Sequence, residues 1–239
     1  MSRLRVGALV YEYQAIDVIG ILDVLNSGSK DLAKGLAFFG PVGEKVTSEA
    51  PEIEFHHIGA TLDTVKVIGG LLITPTVTVD DAPEIDILIV GGPNLADFNL
   101  HSKLADYIRR HVAADKLVFA NCTGSGVVAL TGALDGRKAT INNMEYEWAR
   151  KQYPNVNWTR EAKWIVDGNI WTAAGAVTGM DMVSHWMKEN YGEDVFMLSA
   201  RGLDFEPRDV NGVQNVISKR HDSSGKQIST HEFFYYDSY

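Results

Sequence analysis

The sequence predicts an α/β fold whose mostly parallel sheet is covered by helices on both faces. Segments 5–10 and 85–90 are almost continuously apolar, which is typical of buried strands. Each is followed, after a connection, by a segment with the apolar spacing of a helix. A third strand-to-helix passage surrounds Cys122. This alternation favours a single α/β domain in a chain of 239 residues.

The amino-terminal third begins with the strand over 5–10 and a helix over 15–25, which has Asp17 at its start. His56 and His57 are adjacent, so on a strand they would point to opposite faces. That geometry favours surface or edge positions over a shared metal site. The extended segments expected in this region are 36–39, 45–48, 54–55 and, less regularly, 66–68 and 71–75.

The rest of the chain continues the alternation of strands and helices. A helix is predicted over 102–113, because Leu104, Ile108 and Val112 recur at four-residue spacing. The turn residues 167–169, Asp-Gly-Asn, lie between two apolar runs and predict a β-hairpin. The other expected elements are strands over 117–120, 138–141, 156–158, 163–166 and 170–173, and helices over 124–133, 145–153, 180–191 and 195–200.

We expect one domain over residues 1–203 and a carboxyl-terminal extension over residues 204–239. No linker rich in Pro, Gly or Ser divides the first of these segments. The extension is polar up to the aromatic run 233–236, Phe-Phe-Tyr-Tyr. Such a run suggests that the extension packs on the domain or on a partner subunit.

Composition and charge exclude several functional classes. The formal net charge is -9, which argues against a nucleic-acid surface because phosphate binding needs clustered Lys and Arg. No apolar run approaches the roughly 20 residues of a membrane span, and the first residues form no apolar leader. One cysteine can form neither an internal disulfide nor a Cys-based zinc site. We therefore expect a cytoplasmic protein without membrane or nucleic-acid partners.

The only cysteine, Cys122, falls where a predicted strand turns into a helix. A turn of this kind aims the side chain at the amide groups of the helix N-terminus, which stabilise a thiolate. Gly124 and Ser125 follow, as in a nucleophile elbow. The alternative is a small, buried, apolar cysteine without chemistry.

Two further features fall at the carboxyl ends of predicted strands. Asp17 follows the first strand, where it would either cap its own helix or face a ligand. Gly91 and Gly92 follow the strand over 85–90, where they would either form a plain turn or bring backbone N–H groups close to a ligand. In a parallel sheet these ends share one edge, so we expect Asp17, the two glycines and Cys122 to meet there.

Four segments together resemble the DJ-1/PfpI (ThiJ) superfamily of class I glutamine amidotransferase-like proteins. The resemblance covers residues from about 4 to about 200 and implies a flavodoxin-like, three-layer α/β/α sandwich with a nucleophile elbow. It says nothing about the tail. The segments are the first strand with Asp17, Ile87-Leu-Ile-Val-Gly-Gly92, Cys122-Thr-Gly-Ser125, and 168–172 with 175–181.

The residue after the cysteine separates the branches of this superfamily. Branches that use a Cys-His pair carry His there and the DJ-1 proteins proper carry Ala, whereas this chain has Thr123. Asp17 with Cys-Thr-Gly is similar to the isonitrile hydratase branch, which hydrates isonitriles to N-substituted formamides. Bacterial members of that branch often read Ala-Thr-Thr-His where this chain has Ala-Thr-Ile-Asn, ending at Asn142. That difference would change the substrate if the His shapes the pocket.

The resemblance implies a lyase that needs neither a cofactor nor a metal. Cys122 would attack the terminal carbon to give a thioimidate, and Asp17, kept protonated by burial, would transfer the proton. Thr123 would bond substrate or water through its hydroxyl, or merely cap the helix, and its N–H with that of Gly92 would form an oxyanion hole. The residues expected to bind the small-molecule substrate are Gly91, Gly92, Asn121, Gly124 and Asn142.

Two other functions are compatible with a reactive thiol beside an acid. The first is glyoxalase or deglycase activity on methylglyoxal, which the absence of His after Cys122 disfavours. The second is a redox-sensing or ligand-binding module, although no basic recognition helix appears in the chain. Members of the superfamily are usually homodimers with the active site near the subunit interface, so a homodimer is expected here.

Overall fold

The apolar runs of the sequence form the centre of one twisted sheet. The structure, a computed structural model, describes residues 3–40, 42–217 and 219–228. The strands are β1 (Leu4–Leu9), β2 (Ile53–Gly59), β3 (Val65–Lys66), β4 (Leu72–Ile73), β5 (Val77–Thr78), β6 (Ile87–Val90), β7 (Leu117–Asn121), β8 (Lys138–Ala139), β9 (Asn157–Trp158), β10 (Trp164–Asp167) and β11 (Ile170–Ala173). The helices are α1 (Ala15–Ser27), α2 (Lys30–Leu36), α3 (Glu44–Glu49), α4 (Ser102–Ala113), α5 (Gly124–Leu130), α6 (Tyr146–Gln152) and α7 (Ala176–Gly202).

Seven strands of the described residues form the main sheet in the order β10-β11-β7-β6-β1-β2-β5. Neighbouring strands are parallel except for β10 and β11, which form the predicted antiparallel hairpin. The chain first builds outward from β1 to β2 and then places β6 on the other side of β1. The gap between the carboxyl ends of β1 and β6 is therefore a topological switch point, where open α/β sheets bind ligands. The predicted α/β class is confirmed.

The central strands are buried on both faces, which explains why their sequences are apolar without alternation. All four residues of β6 are buried, as are the last four residues of β1. The predicted strand over 85–90 is thus confirmed over 87–90, in the interior of the sheet. Trp164, Trp171 and Trp186 belong to the same continuous core.

Two groups of helices cover the sheet. Helix α1 packs against α7, and α7 also contacts β7 and β11. Helix α4 packs against α5, which contacts β6 and β7. The four-residue spacing in α4 buries Leu104 and Ile108, as predicted. Helix α7 is interrupted at Gly192 (φ 83°), so its two halves correspond to the predicted helices over 180–191 and 195–200.

Two predicted strands are wrong. Residues 36–39 lie at the end of α2 and in the turn after it. Ser29 caps the start of this helix by accepting a hydrogen bond from the Leu32 N–H. Residues 45–48 belong to α3. The apolar run that suggested the first strand does not enter the core, since Phe38 is 87% exposed and Phe39 is 65% exposed.

Hydrogen bonds join the segment after α7 to Asp181 and Lys163 of the body. Asp181 of α7 is buried and accepts hydrogen bonds from the Arg208 backbone N–H, Nε and Nη2 at 2.9, 2.8 and 2.6 Å. The Lys163 N–H donates to the Val210 carbonyl oxygen at 2.8 Å. The aromatic run 233–236 lies outside the described residues.

Within the described ranges, no helix is long and apolar enough to cross a membrane.

Candidate active site

Cys122 stands on a strained turn between β7 and α5. Its φ is 57°, the left-handed region that a residue with a side chain seldom adopts. The Cys122 N–H donates to the Ala173 carbonyl oxygen at 2.9 Å, which ties the turn to the end of β11. A side chain at Gly124 would overlap the Val90 carbonyl oxygen, so this glycine allows α5 to begin directly against β6. These features are those of a nucleophile elbow.

Asp17 reaches across the switch point from the first turn of α1. Its side chain is fully buried, and Oδ2 accepts a hydrogen bond from the Gly92 N–H at 2.9 Å. Asp17 therefore does not cap its own helix. A Cβ atom at position 92 would lie 2.7 Å from Asp17 Oδ2 and 2.8 Å from the Thr123 nitrogen. Gly92 thus lets β6, α1 and the elbow approach one another closely.

Asn121 holds three elements together directly before the cysteine. Its side chain is fully buried, and Nδ2 donates to the Asp17 carbonyl oxygen at 3.1 Å and to the Ala176 carbonyl oxygen at 3.4 Å. The end of β7 is thereby joined to the first turns of both α1 and α7. Asn121 fixes the position of Asp17 through the backbone.

Thr123 donates its hydroxyl hydrogen to the Pro93 carbonyl oxygen at 2.7 Å. The side chain makes no capping hydrogen bond to α5, so the alternative of a helix cap is wrong. The hydroxyl can still accept a hydrogen bond from a substrate or water. Through Pro93, Thr123 also links the elbow to the loop after β6.

Asn142 is the side chain that faces the sulfur directly. Its Nδ2 donates to Cys122 Sγ at 3.4 Å. Its Oδ1 accepts the Met144 N–H at 3.0 Å, which orients the amide so that the donor points at the sulfur. The sulfur is therefore faced by a neutral donor that cannot act as an acid or a base.

Burial raises the pKa of Asp17 from 3.8 to about 7. The opposing effects are smaller: the Gly92 N–H, which donates to Oδ2, lowers this pKa, and so does the neighbouring Cys122 thiol. Near neutral pH the carboxyl group is therefore populated in both its protonated and its ionised form. The expectation that burial keeps a proton on Asp17 agrees with this direction.

The expectation of a stabilised Cys122 thiolate is wrong. Burial, and next the charge of Asp17, raise the pKa of the Cys122 thiol from 9.0 to about 11. The Asn142 amide and the Thr123 N–H lower it, but their effect is smaller. Cys122 is 8% exposed, so desolvation outweighs the donors at the short helix. Cys122 is a thiol at rest, and its proton must leave during any attack on a substrate.

The remaining residues expected to bind substrate lie in the framework of the site. The Gly91 carbonyl oxygen accepts the Tyr11 hydroxyl hydrogen at 2.6 Å. The Gly92 N–H is bonded to Asp17, so it is not free to serve as the expected oxyanion donor. Gly124 and Asn121 make contacts within the protein. Of the side chains expected to bind substrate, Asn142 is the one that contacts the Cys122 sulfur.

Sequence reasoning missed the roles of Tyr11 and Pro93. Tyr11 lies two residues after the end of β1, and Pro93 follows the glycine pair, so both stand just beyond the carboxyl ends of strands. That position was the signal that could have identified them. In the described part of the chain, no group of three or more His, Cys, Asp or Glu side chains is arranged to hold a metal ion.

A model of the DJ-1/PfpI family matches residues 9–189, a range that includes Asp17, the glycine pair and Cys122. The chain belongs to the DJ-1/PfpI family. It is similar to the isonitrile hydratase of Pseudomonas putida, with 27% identity over 208 residues that cover 85% of this chain and 79% of that protein. It is also similar to the HTH-type transcriptional regulator GbdR of Pseudomonas aeruginosa, with 26% identity over 126 residues. That match covers 53% of this chain and 34% of GbdR.

Solved structures of DJ-1/PfpI proteins share the fold. A ThiJ/PfpI family protein from Pseudomonas syringae has a TM-score of 0.69 at 20% identity, covering 87% of this chain and 77% of that one. Drosophila melanogaster DJ-1beta has a TM-score of 0.66 at 18% identity, covering 85% of this chain and 99% of that one. The predicted flavodoxin-like fold is confirmed by these neighbours.

Proposed function

We propose that this DJ-1/PfpI protein hydrates isonitriles to N-substituted formamides with Cys122 as nucleophile and Asp17 as proton carrier. The observation that carries the proposal is a buried carboxyl group with a pKa raised to about 7 beside a thiol that is protonated at rest. The likeness to a protein named isonitrile hydratase supports the same chemistry. No cofactor is required, because the addition of water needs no external oxidant or reductant.

The first step forms a covalent intermediate. Ionised Asp17 takes the proton of the Cys122 thiol and delivers it to the terminal carbon of the isonitrile, while the sulfur bonds to that same carbon. The product is a thioimidate, R–N=CH–S–Cys, and the carboxylate is restored. The Asn142 amide and the Thr123 N–H stabilise negative charge that develops on the sulfur.

The second step consumes water. Asp17 takes a proton from water as the water oxygen attacks the thioimidate carbon, and it protonates the nitrogen. The carbon–sulfur bond then breaks with its electron pair on sulfur, which recovers the hydroxyl proton through Asp17. The formamide R–NH–CHO leaves, and the thiol is regenerated. One carboxyl group serves as base and acid in turn, which requires a pKa near the working pH.

The direct test is incubation with small alkyl and aryl isonitriles, followed by NMR detection of the formamide. We expect turnover by the wild-type protein and none by Cys122→Ala. Asp17→Asn should lower kcat by about 10²–10⁴-fold, because general acid–base catalysis has this magnitude. Asp23→Asn is the matched control, since it neutralises an exposed carboxylate on the same helix. Formation of formamide at the wild-type rate by Asp17→Asn, or no formation with any isonitrile, would refute the proposal.

A ligand-binding role without turnover is the second candidate. Its support is the likeness of the chain to part of GbdR, a transcriptional regulator, together with a thiol whose raised pKa makes it unreactive at rest. Saturable binding of an isonitrile with neither formamide nor a covalent adduct on Cys122 would favour this role over the hydratase. Methylglyoxal turnover remains disfavoured, because neither residue 123 nor residue 142 is a histidine.

We further propose that two copies associate through α1 and the start of α7. Ile16 and Val177 are exposed there, and Ile19, Met180 and Leu203 line an apolar cleft beside them. Light scattering on the purified protein should give twice the mass of the chain. Ile16→Glu should shift the mass to that of one chain, and an unchanged dimer in this variant would place the interface elsewhere.

A further inference from the structure

A small cavity of about 200 Å³ lies between the end of β8 and the start of β10. Two backbone segments connect it to the nucleophile. Asn142 donates to Cys122 Sγ, and the next residue, Asn143, lines the cavity. Ala173 accepts the Cys122 N–H, and the next residue, Ala174, also lines it. Two residues of the cavity lining thus directly follow residues that bond to Cys122.

The charged side chains of the cavity carry a net positive charge. Arg160 and Lys163 line it together with one acid, Glu161. Arg160 lies 4.7 Å above the Tyr146 ring and 3.7 Å from a carboxylate oxygen of Glu147. Lys163 is half-buried and forms no ion pair with any of the described residues. The Asp181 carboxylate, on which the Lys163 charge acts, is already paired with Arg208, so Lys163 has no counter-ion of its own among the described residues.

The floor of the cavity contains a polar atom without a partner. Thr140 is fully buried, and no hydrogen-bond partner for its Oγ1 is found among the described residues. Its backbone N–H is already bonded to Thr172 Oγ1 at 2.9 Å. A buried hydroxyl of this kind is normally hydrogen-bonded. A polar group that enters the cavity would supply the missing hydrogen-bond partner.

The segment after α7 forms the outer wall. Asn211 lines the cavity, and the backbone of Gly212 packs against the aliphatic part of the Lys163 side chain. The ion pair between Arg208 and Asp181 fixes this segment on the body of the protein. The wall thus limits the positions available to the Lys163 ammonium group, which reduces the entropy lost when it binds an anion.

We infer that this cavity binds a carboxylate group of the substrate, held by Lys163 with Arg160 and the Thr140 hydroxyl. The inference rests on the proposed hydratase function and extends it to a substrate class: isonitriles that carry a carboxylate a few bonds from the isonitrile carbon. Such a substrate places its charge in the cavity while its terminal carbon meets Cys122. The carboxyl-terminal segment is then part of the binding site.

A matched pair of substrates tests the inference, namely isocyanoacetate and its neutral methyl ester. We expect wild-type kcat/KM to be higher for the carboxylate by about tenfold, the contribution of one charge-assisted hydrogen bond. Lys163→Gln should remove this preference, whereas Lys151→Gln, which alters an exposed lysine of α6, should retain it. Equal kcat/KM values for the two substrates in the wild-type protein, or an unchanged ratio in Lys163→Gln, would overturn the inference.

Alkylation of Cys122 tests the cavity without turnover. Iodoacetate carries a carboxylate and iodoacetamide is neutral, which is the same difference as between the two substrates. The rate of alkylation is measured by intact-protein mass spectrometry. The rate ratio of iodoacetate to iodoacetamide should fall about tenfold in Lys163→Gln and not in Lys151→Gln. If neither isonitrile is hydrated while this ratio falls, the hydratase proposal fails and the anion site stands. If both are hydrated while the ratio is unchanged, the anion site fails and the hydratase stands.

Discussion

Asp17→Asn should make the protein more stable at alkaline pH although it removes the proposed proton carrier. In the native state, burial raises the pKa of Asp17 from 3.8 to about 7. Between pH 3.8 and about pH 7, the native state therefore binds more protons at Asp17 than the unfolded state does. Stability from this residue is fully present below about pH 4 and is lost as the pH rises through about 7.

The magnitude follows from the width of that interval. At roughly 1.4 kcal/mol per pH unit, the interval from 3.8 to about 7 sets an upper bound of about 4.5 kcal/mol. Asparagine carries no charge at any of these pH values, and its side-chain oxygen can still accept the Gly92 N–H. The free energy of unfolding of Asp17→Asn should thus exceed that of the wild type near pH 8, and the difference should shrink as the pH falls toward 4.

Urea denaturation monitored by tryptophan fluorescence measures this difference at each pH. The five tryptophans of the chain provide the signal. Asp23→Asn is the control, since its exposed carboxylate remains hydrated when the chain folds, and its stability difference should not vary with pH. A difference between Asp17→Asn and the wild type that stays constant from pH 5 to pH 8 would refute the assignment of the raised pKa to Asp17.

Three further perturbations test other parts of the site. Cys122→Gly should be more stable than Cys122→Ala by about 1 kcal/mol in chemical denaturation, because the φ of 57° strains any residue except glycine. A glycine variant less stable than the alanine variant would contradict the strained elbow. Asn142→Ala should raise the Cys122 pKa and slow its alkylation by iodoacetamide about three- to tenfold at a fixed pH, the contribution of one hydrogen bond; an unchanged rate would contradict the contact with sulfur. Arg208→Met should lower the free energy of unfolding by about 3 kcal/mol, because it leaves the buried Asp181 carboxylate unpaired. The double variant Asp181→Asn/Arg208→Met should recover most of that loss, and a double variant as unstable as the single one would contradict the charge-burial explanation.

The sequence by itself determined the fold class and the position of the elbow, because both depend on local patterns. An almost apolar run of the length of 85–90 is typical of a strand buried on both faces, and helical spacing after such runs favours parallel connections. The Cys-Thr-Gly-Ser turn lies within one strand-to-helix passage, so Cys122 was identifiable without any distant residue. Residues 36–39 misled because an apolar run is compatible with a strand until its exposure is known.

Only the tertiary structure decided the chemistry of the elbow. A local argument from the helix N-terminus predicts a stabilised thiolate, but desolvation and the charge of Asp17 raise the Cys122 pKa to about 11. The partners of Asp17 and Thr123 are Gly92 and Pro93, which are distant from them in the chain. Hydrogen-bond partners and burial depend on how strands far apart in sequence are brought together, and no local pattern encodes that arrangement.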